Sequence, residues 1–353
     1  MARNSETERH SRCAVDQAAN RDDAQAAGVT NMLEIILDNR NGKLWNITSI
    51  VPSMTYKTKR IGSPSSLELT LIKGALFQHR DFTVNNGDVI RVRMDNVNVF
   101  YGYVFEKSFG RDESVSIKAY DQVRYLLIND HYSFTNETAG NIIKKIADDC
   151  GLKTGKIADT VYKIPTMLED NKKLLDTMCK ALDLTLINGH GNFMLFDDYG
   201  ELTVRKLDDM KLDTVIGDWS LMYDFDYKSS IDSDTFNRVK IVKDNKEAGK
   251  REVYIAQDSA NIARWGRLQY YQKADDNMNS AQINEQLDQL MKLKNREQRS
   301  LSIEALGDIR VRAGCYVPII IEELKLKEYF LVEECTHKLD ADTHTMNLEL
   351  RVI

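Results

Sequence analysis

Between Phe330 and Val352 the chain reads FLVEECTHKLDADTHTMNLELRV, which puts Cys335, His337 and His344 close together among several carboxylates. A thiol and two imidazoles are zinc ligands, and a cysteine beside a histidine is the pair a thiol hydrolase activates. Structural zinc takes four nitrogen or sulfur ligands in tetrahedral array, and this stretch supplies at most three. A Cys–His hydrolase needs its histidine held by a third group. Cys150 and Cys179 fall on apolar helix faces, where a cysteine is a small hydrophobe. GxSxG, HExxH and P-loop spacings are absent from the sequence. Asp148–Asp149, Asp197–Asp198, Asp208–Asp209 and Asp275–Asp276 are acid pairs, but a glycosidase needs two carboxylates facing each other across a cleft. Side-by-side residues in turns or at helix ends read as solvated charge. These residues imply no catalytic site and no cofactor. Cys335, His337 and His344 remain the metal candidates, one ligand short.

A hairpin turning through DADT accounts for the same residues. It sets Leu339 opposite His344, His337 opposite Met346 and Cys335 opposite Leu348. Period-two alternation then puts Leu331, Cys335, His337, Leu339, His344, Met346, Leu348 and Leu350 on one face, with Thr345, Asn347, Glu349 and Arg351 on the other. Two surface features also suggest binding. KTKRIGSPSS, residues 57–66, reads as a connection between strands whose Lys57, Lys59 and Arg60 either meet an acidic neighbouring protein or form a soluble loop tip. Trp265 and the pair Tyr270–Tyr271 are the candidates for an aromatic carbohydrate platform.

The 353 residues suit two or three domains. With 42% hydrophobic and 29% charged residues, the composition is that of a soluble globular protein. A net charge of −6 argues against binding nucleic acid through a basic surface. The five cysteines are scattered and lack CxxC spacing, the usage of a reducing cytoplasm. No apolar run approaches the roughly eighteen residues of a membrane span, and the N-terminus has no apolar core for a signal peptide. Residues 1–30 are polar and Ala-rich, and read as a frayed tail or a helix ordered only by a partner.

From Met32 short strands dominate: MLEIIL, LWNITSIV, SLELTLIK, DVIRVRM, VFYGYVFEK and SVSIKAY, separated by turn-forming clusters. Helical periodicity follows in TNETAGNIIKKIADDCG, and in LEDNKKLLDTMCKALDL through Leu168, Leu175, Met178, Cys179 and Leu182. LTLIN, NFMLF and ELTVRKL read as strands. SAQINEQLDQLMKLKNREQRS carries an amphipathic stripe of Ile283, Leu287, Leu290 and Met291.

The order glycine, strand, aromatic-rich strand, loop, strand occurs twice, from Gly87 and from Gly314. Aligning Val104 with Val332 sets Phe109 at the place of His337 and Lys107 at that of Cys335. The expected fold is α+β and mainly β: two similar small β-barrel domains, an inserted α+β module and one long amphipathic helix. The expected divisions are 1–30 for the tail, 31–128 for the first barrel, 129–215 for the module and 216–353 for the second barrel, with its helix near 280–299.

The ordered series ILDNRNGKLWNITSIV, YKTKRIGSPSSLELTLIKG, NGDVIRVRMDNVNVFYGYVF, KAYDQVRYL, IPTMLEDNKKLLDTMCKALDLTLINGHGNFMLFDDYGELTVR and YFLVEECTHKLDADTHTMNLEL resembles the baseplate hub (tail hub) proteins of contractile phage tails and prophage tail-like particles, in their Gram-positive form. It covers most of residues 32–353. The resemblance implies a homotrimer whose two barrels per chain make a pseudo-sixfold ring, joining the hexameric tail tube to the trimeric spike and lining the ejection channel. It implies other baseplate proteins as further partners, and neither sequence-specific nucleic-acid binding nor membrane binding. The location implied is the baseplate of a virion or tail-like particle, assembled in the host bacterial cytoplasm. It brings no catalytic residues and no cofactor. The competing expectations are a tail-associated cell-wall hydrolase and a carbohydrate-binding module.

Overall fold

The computed structural model describes residues 33–351, apart from 73, 75–78, 112, 233, 246–248, 276–277 and 341–342. The expectation for residues 1–30 lies outside the described residues. The first stretch is all strand: β1 (Leu33–Asp38), β2 (Leu44–Asn46), β3 (Ser53–Lys59), β4 (Ser66–Ile72), β5 (Val89–Met94), β6 (Val97–Phe109) and β7 (Ser114–Tyr120). Then come β8 (Asn129–Thr138), α1 (Ala139–Asp149), β9 (Thr154–Ile157), β10 (Lys163–Lys173), α2 (Leu174–Ile187), β11 (Phe193–Asp197) and β12 (Leu202–Lys206). The chain continues through β13 (Ile216–Gly217), β14 (Met222–Ser230), β15 (Arg238–Asn245), β16 (Lys250–Gln257), α3 (Ser259–Trp265), β17 (Gln269–Lys273) and α4 (Ser280–Lys294). It closes with β18 (Gln298–Leu306), β19 (Tyr316–Ile321), β20 (Leu326–Asp340) and β21 (Thr343–Arg351).

One backbone pattern is used twice. Strands β3-β4-β7-β6-β5 lie side by side in that order, and β14-β18-β21-β20-β19 repeat it. The sixth strands differ: β1 runs antiparallel to β5, whereas β13 runs parallel to β19. The resemblance reaches single hydrogen bonds. Gly87 (φ +89°) donates to the Val104 carbonyl at 2.8 Å, and the Val104 N–H returns to the Asp88 carbonyl at 2.9 Å. Gly314 (φ +91°) donates to Val332 at 2.8 Å, and the Val332 N–H returns to Cys315 at 2.9 Å. Immediately after each valine the ladder shifts by one residue, a β-bulge at Phe105 and another at Glu333.

The expected separate barrels are not what forms. The sheets do not close, and the two repeats merge into a single 13-stranded sheet. The cause is the length of β20, 15 residues and so about 50 Å at the usual strand rise. Its first part pairs with β19, while Glu334–Asp340 pair with β3 of the other repeat. In β3, which the basic cluster hides in the sequence, Met54, Tyr56 and Thr58 point inward and Lys57 and Lys59 outward.

Each repeat has its own apolar core, around Ile35, Leu67 and Ile117 in the first and around Ile303, Phe330 and Leu348 in the second. A third core gathers Ile142, Ile146, Met178 and Leu195 between α1, α2 and the small sheets of β8–β12. Two expectations there need correction. Leu168 belongs to β10 and is 72% exposed, since the helix begins only at Leu174. LTLIN is mostly the last turn of α2, where Thr185 is buried and its hydroxyl donates to the Ala181 carbonyl; packing overrides β propensity there. Strands β15–β17 form a separate small sheet, and α4 lays Ile283, Leu287 and Leu290 against its Val239 and Ile241. The long helix thus serves this small unit. Asn279 and Gln282 close a capping box at its start.

Candidate functional site

The hairpin β20–β21 pairs Cys335 with Leu348, His337 with Met346 and Leu339 with His344, the expected register. Leu331 departs from the expected face. The bulge at Glu333 reverses the phase, so Leu331 packs with Met194, Phe196 and Met210 on the other side.

His337 has no exposed surface. Its Nε2 lies 2.8 Å from the Val311 carbonyl, which can only accept, so Nε2 carries the proton. Nδ1 is then the acceptor for His344 Nε2–H at 3.0 Å. Burial pushes the His337 pKa down to about 4, so the ring is neutral at pH 7. Burial pushes the Cys335 thiol up, which keeps it protonated and a poor nucleophile. Cys335 Sγ lies 3.2 Å from His337 Nε2 and 3.5 Å from the Val311 oxygen. Both ring nitrogens of His337 are therefore committed. Among the described residues no group of three or more His, Cys, Asp or Glu side chains could hold a metal ion.

The repeat explains this cluster. Counting back from the paired glycines, Val311 answers to Val84, and Cys335 to Lys107. Lys107 Nζ donates to the Val84 carbonyl at 2.8 Å. In each repeat a loop carbonyl is satisfied by the strand that follows the bulge, by lysine in one and by Cys335 and His337 in the other. The arrangement closes the core; it does not offer a vacant ligand set.

Lys57, Lys59 and Arg60 sit at the seam between the repeats. Arg60 makes a bidentate pair with Glu333, at 2.7 and 3.0 Å, and Lys57 pairs with Glu334. Lys59 is exposed opposite Glu334. The acidic neighbour of Lys57 and Arg60 is thus the same chain. The aromatic candidates do not share a platform: Tyr270 packs on Phe236, with centroids 5.3 Å apart, Tyr271 points out from the opposite face of β17, and Arg264 lies over the Trp265 ring.

Asp197, read from sequence as turn charge, is buried. It accepts from Gln122 Nε2 at 2.8 Å and the Gly200 N–H at 2.7 Å. Asp121, also buried, accepts from the Ser65 and Val123 N–H groups at 2.9 and 3.0 Å. Burial first, and the Asp197 charge second, push the Asp121 carboxyl up to about 7. The partners are 76 positions apart, so no local pattern could reveal this pair.

The most extensive feature is the outward face of the merged sheet. Reading across one row, Asp226, Ser302, Glu349, Glu334 and Lys59 lie side by side. The next row runs Asp224, Glu304, Asn347, Thr336, Lys57 and Ser66. A third runs Thr345, Lys338, Thr55, Glu68 and Lys118. The positions named are polar, but the third row begins at Leu306, 45% exposed beside Thr345, and the second continues beyond Ser66 to Tyr120 and Tyr103. Asp224, Asp226, Glu304 and Glu349 gather the carboxylates at the β14 end.

A family model described as YQBQ-like matches residues 54–351. The chain is 30% identical over 308 residues to the uncharacterized protein YqbQ of Bacillus subtilis (strain 168), covering 85% of this chain and 92% of that protein. It is 28% identical over 306 residues to the phage-like element PBSX protein XkdQ of the same organism, with the same two coverages. Its fold matches the tail protein from Neisseria meningitidis MC58, with a TM-score of 0.68 at 12% identity over 91% of this chain and 96% of that one. It also matches the 43 kDa tail protein of prophage MuSo2 from Shewanella oneidensis, with a TM-score of 0.66 at 15% identity over 90% and 98%. The fold is that of phage and prophage tail proteins.

Proposed function

The chain belongs to the YQBQ-like family, and on that premise we propose that it is the structural hub of a contractile-tail baseplate. Three chains form a ring in which each supplies two tube-like repeats, giving six similar positions around one axis. Residues 31–128 and 216–353 supply the repeats, and 129–215 is a module inserted between them. The ring continues a hexameric tail tube on one side and seats a trimeric spike on the other, among other baseplate proteins. It works without catalysis or cofactor, in a virion or tail-like particle assembled in the host cytoplasm.

What carries this reading is the doubled five-strand pattern merged into one sheet. A symmetry adaptor between a sixfold tube and a threefold spike needs two similar units per chain. The β14 end of the sheet's outward face is the surface suited to line the bore, since its carboxylates repel phosphate. Electron-microscope class averages of the purified chain test the proposal: a threefold particle with six similar lobes around a channel supports it. A twofold or channel-less particle contradicts it.

If the face lines the bore, Glu304→Lys combined with Glu349→Lys, both on interior strands of the sheet, should slow ejection from assembled particles while leaving the ring intact. Ejection at the wild-type rate would exclude these carboxylates from the lumen.

A further inference from the structure

The repeat has one seam inside the chain and the two halves of another at its ends. Inside the chain, β20 beyond its bulge pairs with β3. The counterpart of β20 is β6, and the counterpart of β3 is β14. Among the described residues β14 is the terminal strand of the sheet, paired only with β18. β5 pairs with β6 only as far as Tyr103, leaving Glu106–Ser108 with a strand neighbour on the β7 side alone among the described residues.

We infer that residues 106–109 of β6 pair antiparallel with β14 of a second copy of this chain, in the register of the internal β20–β3 seam. This rests on the ring reading above and adds its contact surface.

The ladder gives the register. The residue after each bulge is Glu106 or Glu334. Glu106 pairs with Lys118, then Glu68, then Thr55. Glu334 pairs with Glu349, then Ser302, then Asp226. Thr55 therefore answers to Asp226, Tyr56 to Tyr227 and Lys57 to Lys228. The internal pairs Thr336 with Lys57 and His337 with Tyr56 translate into Ser108 with Lys228, and Phe109 with Tyr227, between copies.

Exposure follows the same correspondence. Cys335 and His337 are buried at the internal seam, whereas Glu106, Lys107, Ser108 and Phe109 are all exposed, Phe109 at 63%. Tyr56 and Thr58 are buried, whereas Tyr227 is half-buried and Ser229 exposed. His337 stacks on Tyr56 with centroids 6.1 Å apart, the contact that Phe109 would make with Tyr227. Across the internal seam Lys57 pairs with Glu334, and the outer seam offers Lys228 and Glu106 for the same contact. The edges of Glu106–Ser108 and of β14, open among the described residues, are an aggregation hazard unless something covers them, and each fits the other.

The test is the double variant Ser108→Cys, Lys228→Cys, oxidised under native conditions. The two positions lie toward opposite ends of the sheet order in one chain. Directly opposite residues bring Cβ atoms to about 5 Å, close enough for a disulfide, and a two-residue slip does not. The expected result is a covalent ladder ending at three chains, with the register control Ser108→Cys, Asp226→Cys linking at least about tenfold more slowly. Each single variant should give none. A trimer in native mass spectrometry that links equally in both registers, or in neither, overturns the pairing and leaves the ring reading standing. A chain that stays monomeric and unlinked overturns both.

Discussion

At residue scale, His337 and Asp121 respond to acid in opposite directions. The folded pKa of His337 is about 4, below the usual 6.5 of histidine. Its contribution to stability is therefore present above pH 6.5 and lost as pH falls toward 4. The folded pKa of Asp121 is raised to about 7, above the usual carboxylate value. The native state binds the extra proton between about pH 4 and 7, so this group favours folding as pH falls through that window. Removing the Asp197 charge lowers the Asp121 pKa and takes part of that gain away. Urea titrations of wild type and Asp197→Asn should show the stability difference shifting toward wild type as pH drops from 8 to 5, by at most about 1.4 kcal/mol per pH unit. Parallel pH profiles would remove Asp197 as the cause. His337→Ala opens a cavity and leaves the Val311 carbonyl unsatisfied, so it should cost about 3 kcal/mol in the same assay. The sequence showed His337 correctly as an inward residue of a hairpin, because alternation is local. It could not show the buried acid pair, whose members meet only through the fold.

At the scale of elements, the two glycines that open each repeat make a controlled comparison. Gly87 and Gly314 have nearly the same positive φ, but a Cβ on Gly87 meets nothing within 4 Å while one on Gly314 would lie 2.1 Å from Met194 Sδ. Gly87→Ala should cost about 1–3 kcal/mol in backbone strain alone. Gly314→Ala adds the displacement of Met194, and should show the larger drop in thermal midpoint; equal drops would mean that Met194 yields freely. Most strands, and the echo of β5–β6–β7 in β19–β20–β21, are legible because their apolar residues alternate between turn clusters. The bulge at Glu333 is not, since one inserted residue leaves no compositional trace, and plain alternation therefore puts Leu331 on the wrong face. β3 was hidden because its outward Lys57 and Lys59 adjoin Arg60 and a Gly/Pro turn, and together these read as a loop. Leu168, seven residues before Leu175, fits a helical stripe, but a strand also tolerates an apolar residue on its exposed face.

At the scale of the whole molecule, sequence patterning established two similar mainly β units but not how their edges meet. Strand pairing between distant segments depends on which edges are left open, and a barrel and an open sheet share the same alternation. The long β20 makes the difference by serving both repeats, and Arg60 with Glu333 fastens the place where it crosses over. Native mass spectrometry of the purified chain at micromolar concentration decides whether three such chains form a ring. The expected species is a metal-free one of three times 40.5 kDa. A monomer carrying stoichiometric zinc would contradict it, and would return Cys335, His337 and His344 to the role of ligands.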